Sequence, residues 1–151
     1  MQRIRQGIQL LILLSLFISA GALAVKPVYS GGKERAAVRG YDVVAYFTEE
    51  APVKGLEEHT VEHLGATWWF SSAENKAKFI ENPDKYMPAY GGYCAYAVAR
   101  KSTASSKPEY FTIHDGKLYL NYSKSVYKKW LKDKDGYISS ADENWPALLE
   151  K

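Results

Sequence analysis

The chain predicts a small single-domain α+β fold with short antiparallel strands and several short helices, and three features carry that expectation. Two β-rich runs in "YFTIHDGKLYLNY" flank Asp115-Gly116, a dipeptide suited to a two-residue hairpin turn because both positions need positive φ. Ser71 with Glu74, and Ser140 with Glu143, have the spacing of a capping box at a helix start. Short strand-like and helix-like stretches follow one another irregularly, which suits a mixed domain better than a bundle or a sandwich.

In chain order, residues 1–24 read as a secretory signal peptide. Arg3 and Arg5 give a basic start, apolar residues fill positions 8–18, and small residues end at Ala24. The apolar run is well short of the ~20 residues that a spanning helix needs. The expectation is cleavage after Ala24 and a periplasmic or secreted product without a stable membrane anchor. A lipid anchor at the cut would need a cysteine there, and the one cysteine is Cys94. Two of the 20 basic residues leave with the leader, so the remaining ones nearly balance the 17 acidic residues. The basicity of the precursor therefore gives no reason to expect nucleic acid as a partner.

Residues 25–39 have no clear period and contain Gly31-Gly32, so they read as a flexible lead-in to a domain spanning 40–151. "YDVVAYF" suits a strand or a tight strand-to-loop entry, and "TEEAPVKG" a loop. "EHTVEHLGATWWFSS" predicts two short strands turning at Leu64-Gly65. A helix capped by Ser71 and Glu74 should turn Phe79 and Ile80 inward and end near Pro83. "PDKYMPAYGG" predicts a second short helix stopped by Pro88 and Gly91-Gly92. In the hairpin, symmetrical register puts Phe111, Ile113, Leu118 and Leu120 on one face. Val126, Trp130 and Leu131 then have helical spacing, "DKDG" breaks that helix, and Ser140–Glu143 opens a terminal helical turn.

One thiol closes no internal disulfide, so stability must come from packing, much of it by twelve tyrosines and four tryptophans. Cys94 can be a buried apolar-like thiol, a reactive thiol or a metal ligand. A thiolate suits copper(I) or another soft ion, and His59 and His63, four apart, are the imidazoles that could join Cys94. Against that, residues four apart on a strand stand too far apart for one ion unless the strand bends, and histidines among glutamates are usually surface residues. Tyr86, Tyr90, Tyr93 and Tyr96 could form a stacking surface for a planar ligand, or simply an aromatic core, and Gly91 and Gly92 let the backbone turn tightly or come close to a ligand. Tyr41 and Asp42 complete the candidate binding residues. A Cys-His-Asp hydrolase exists in composition only, and no catalytic residue is assigned.

The stretches "GYDVVAYF" (40–47), "GATWWFSSAENKAKFIENPDKYMPAYGGYCAYAVA" (65–99), "DGKLYLNYSKSV" (115–126) with Trp130, and "ADENWP" (141–146) together resemble the YHS domain family, specifically its secreted bacterial single-domain members. Such modules accompany copper-transporting and other heavy-metal ATPases and some multicomponent hydroxylases, so the resemblance implies metal handling by association. The metal-linked members carry cysteines near the first strand and beside the aromatic-Phe step. Here those places hold "GYDVVAYF" and Ser71-Ser72, without a cysteine. Three readings therefore stand: a soft-metal or small-ligand module centred on Cys94, with a metal ion or another periplasmic protein as the expected partner; a non-catalytic structural or interaction domain with an inert thiol; and a thiol-dependent redox protein.

Overall fold

A computed structural model describes residues 24–151, so the leader, apart from Ala24, lies outside the described residues. Among the described residues the architecture is α+β, built from six α-helices and three two-stranded antiparallel sheets. The elements are β1 (Ser30–Gly31), β2 (Ala36–Ala37), α1 (Ala45–Thr48), β3 (Leu56–His63), β4 (Ala66–Phe70), α2 (Ala73–Glu81), α3 (Pro83–Tyr86), α4 (Ala95–Ala99), β5 (Lys107–His114), β6 (Lys117–Asn121), α5 (Lys124–Leu131) and α6 (Lys134–Leu149).

Both long hairpins close as their turn residues dictate. Asp115 and Gly116 have φ of 48° and 74°, and Leu64 and Gly65 have 51° and 72°, the doubly left-handed geometry that matches strand twist. Pairing of Phe111 with Leu120 and Ile113 with Leu118 sets the expected apolar face of β5–β6. Alternation along β6 then divides the interior. Leu118 and Leu120 enter a core with Trp68, Phe70, Phe79 and Tyr46, whereas Tyr119 enters one with Tyr90, Val98, Trp130 and Leu148. Asn121 shares the Tyr119 face and is fully buried.

Several local expectations are corrected. The stretch expected to be a flexible lead-in is built into the fold from Val28 onward. Val28, Ala36, Ala37 and Val38 are buried, and the Tyr29 N–H donates to the Gly91 carbonyl at 2.9 Å. "YDVVAYF" contains a helical turn rather than a strand, because the Asp42 carboxylate accepts the N–H groups of Val44 and Ala45 and starts α1. The cap of α2 is Ser72, which accepts the Asn75 N–H, while Ser71 is drawn away to Asp42. That setting turns Asn75 and Phe79 inward and leaves Ile80 58 % exposed. "DKDG" ends one helix and starts the next, since Asp133 caps α6 by accepting the Gly136 N–H. The last helix thus begins six residues before Ser140 and carries Pro146 inside it. Leu131 stays exposed while Trp130 is sealed.

Candidate functional site

Cys94 occupies the residue before α4, where its backbone bridges Leu120 of β6 and its N–H donates to the Ala104 carbonyl at 3.0 Å. The residue is 1 % exposed. Its Sγ lies 3.6 Å from Asn121 Oδ1, which also accepts the Tyr96 N–H at 3.2 Å. Burial pushes the thiol above its ordinary value, outweighing nearby backbone hydrogen bonds that favour the thiolate. A neutral thiol donating to an amide oxygen is the chemistry this seat supports.

The neighbouring tyrosines pack rather than present an open platform. Tyr90 is buried, and its hydroxyl donates to Asp142 Oδ1 at 2.8 Å; burial and that bond hold its proton firmly. The Tyr93 ring lies between Tyr29 and Trp145, at centroid distances of 5.4 and 5.9 Å. The Tyr96 ring meets Tyr137 at 5.2 Å. Tyr90, Gly91 and Gly92 all have positive φ. At Gly91 the reason is plain, because an added Cβ would strike the Pro27 carbonyl. The "YGGYC" block is therefore where the N-terminal stretch, β6 and the helical layer are joined.

The candidate metal residues do not assemble. His59 lies in the Glu57–His59 irregularity that interrupts β3–β4 pairing, with Nε2 3.8 Å from Glu58. The His63 ring stands edge-on to Phe79 at 5.7 Å. Among the described residues, no three His, Cys, Asp or Glu side chains gather as a metal site would require.

Asp42 is fully buried yet richly satisfied. Besides Val44 and Ala45, it accepts the Ser71 N–H at 2.8 Å, the Ser71 hydroxyl at 2.7 Å and the Asn75 amide at 2.8 Å. With every lone pair used, it ties the entry of α1 to the β4–α2 junction and has no capacity left for a ligand.

Tyr41 faces an open cleft of about 350 Å³, lined also by Lys33, Glu34, Arg39, Lys54 and Lys107, while Tyr90 and Gly91 border a separate apolar groove. Arg39 reaches the cleft from the turn Val38–Gly40, and that segment is fastened to the 53–55 stretch by Asp42 N–H to Val53 O and Gly55 N–H to Gly40 O, both 2.8 Å. Lys54 Nζ donates to Glu34 Oε1 at 2.6 Å and to the Arg39 carbonyl at 3.0 Å, and stands 5.0 Å above the Tyr41 ring. That ammonium holds Glu34 below the usual carboxylate range. Sequence reasoning missed this group because its four cations come from three separate stretches, with Lys33 and Arg39 in the lead-in and Lys54 and Lys107 far from it. The one local signal is the Arg39-Gly40 pair at the end of the lead-in. Among the described residues, no helix is long and apolar enough to cross a membrane. No family model, no curated protein and no solved structure matches the chain.

Proposed function

We propose that the chain is a non-catalytic binding module of the YHS type, exported to the periplasm or beyond, in which Cys94 packs rather than reacts or ligates. The seat of the thiol carries this reading: a 1 % exposed residue whose Sγ meets an amide oxygen. Nucleophilic, redox and soft-ligand chemistry all run through the thiolate, and burial here favours the protonated form. The long stretches quoted above support the module type, and the leader pattern supports export. Among the described residues, Cys94 joins no group of potential metal ligands, and its Sγ partner is the Asn121 amide oxygen.

Thiol chemistry tests the reading. In the native protein an aromatic disulfide reagent should label Cys94 about a thousandfold more slowly than in denaturant, because labelling awaits opening of the core. Copper(I) presented on a chromogenic chelator should stay with the chelator for wild type and Cys94→Ala alike. Prompt native labelling, or copper captured by wild type and not by Cys94→Ala, would overturn it.

A further inference from the structure

Val38, Arg39 and Gly40 run consecutively through the left-handed region, with φ of 49°, 55° and 77°. For the β-branched Val38 that conformation is a true outlier, retained only where its surroundings impose it. The turn buries Val38 while sending Arg39 the other way, into the cleft. The Arg39 side chain is fastened there. Its Nε donates to the Ser106 carbonyl at 3.0 Å, and buried Ser106 in turn donates its hydroxyl to the Gly92 carbonyl at 2.6 Å. Among the described residues, neither terminal nitrogen of Arg39 has a protein acceptor.

Charge around this guanidinium is unbalanced. Glu34 is committed to Lys54, and Lys54 also holds the Arg39 carbonyl. Lys33 and Lys107 line the same cleft, and no ion pair is formed by either among the described residues. Glu109 is the one acid lining the cleft that is not already paired. A rigid guanidinium with two free N–H₂ groups matches two oxygens of one anion, and lysines nearby add attraction without directional demand. We propose that the Arg39 cleft binds a small oxyanion of the carboxylate or phosphate type, with Arg39 as the bidentate contact. This inference rests on the binding-module reading and identifies the class of ligand.

The test is a titration of the protein with inorganic phosphate and, separately, with succinate at low ionic strength, followed by amide and Arg Nε–H correlation spectra. At least one anion should give saturable shifts at Gly32, Arg39, Lys54 and Lys107, weakened by added sodium chloride. Which anion saturates identifies the phosphate or carboxylate source. Arg39→Gly accepts the left-handed φ and removes the guanidinium, so affinity should fall at least about tenfold. The exposed pair Lys33→Ala/Lys107→Ala leaves every hydrogen bond of the turn in place and should weaken binding by about threefold or more. No saturation with either anion, or unchanged affinity in Arg39→Gly, would overturn the site. If Arg39→Gly does not fold, unchanged affinity in the lysine pair overturns it instead. Failure here leaves the thiol labelling result untouched, so the two readings fall separately.

Discussion

The buried carboxylate of Asp42 accepts the side-chain amide of Asn75 at 2.8 Å, joining residues 33 apart in the chain. Four further donors, the N–H and hydroxyl of Ser71 and the N–H groups of Val44 and Ala45, converge on the same side chain. Asp42→Ala strands these donors in the interior and should cost at least about 3 kcal/mol. Asn75→Ala removes a single donor and should cost about 1–2 kcal/mol. Urea denaturation of the two single variants and the double variant checks both values, and their effects should not add. A loss below ~1 kcal/mol for Asp42→Ala would show that the carboxylate does not organise this junction.

Gly91 is the second point where a single atom matters. Its φ of 59° and the nearby Pro27 carbonyl leave no room for a methyl group. Gly91→Ala should destabilise by about 1–3 kcal/mol. It should also release residues 27–29, whose anchor is the Tyr29 N–H to Gly91 bond. Hydrogen exchange at the Tyr29 amide should rise in the variant more than at Leu120, deep in the core.

Alkaline pH should destabilise the fold in two steps. Burial raises the Cys94 thiol above its ordinary 9.0, and raises Tyr46, Tyr90, Tyr93 and Tyr119 above 10.0. For each, the unfolded chain loses its proton first, so stability is full below the unfolded value and falls as pH climbs through the window above it. Denaturation midpoints measured from neutral pH to about pH 11 should decline from about pH 9 upward. Cys94→Ala should delay the onset until tyrosine ionises near pH 10. An unchanged onset in that variant would contradict the thiol's part in it.

Leu64 holds the first turn position of β3–β4 at φ 51° with 52 % of its surface exposed. Asparagine tolerates that backbone better, so Leu64→Asn should stabilise by roughly 0.5 kcal/mol. The leucine also borders an apolar groove with Met87, Pro88 and Trp145. A measured destabilisation would mean that these contacts outweigh the turn preference.

The hairpins and most helix positions were legible because their signals are local. Asp115-Gly116 favours its own left-handed turn, Gly65 admits the second, and β6 alternates with period two whatever surrounds it. Where the reading went astray, a distant partner had changed a local choice. Ser71 has the spacing of a cap, but Asp42 claims its hydroxyl, so Ser72 caps α2 and the inward face rotates from Ile80 to Asn75. The stretch around Gly31-Gly32 has no periodic pattern to mark it as ordered, yet β1 pairs with β2, and Pro27 and Tyr29 are held against distant Gly91.

Residue type and short-range geometry were enough for the α+β class, the two hairpin turns and the lone thiol. Long-range packing is what seals Cys94 against Asn121, leaves His59 and His63 outside any metal-type cluster among the described residues, and gathers Arg39, Lys33, Lys54 and Lys107 around one cleft. Burial and convergence are properties of chain segments brought together from far apart, and no local pattern encodes them.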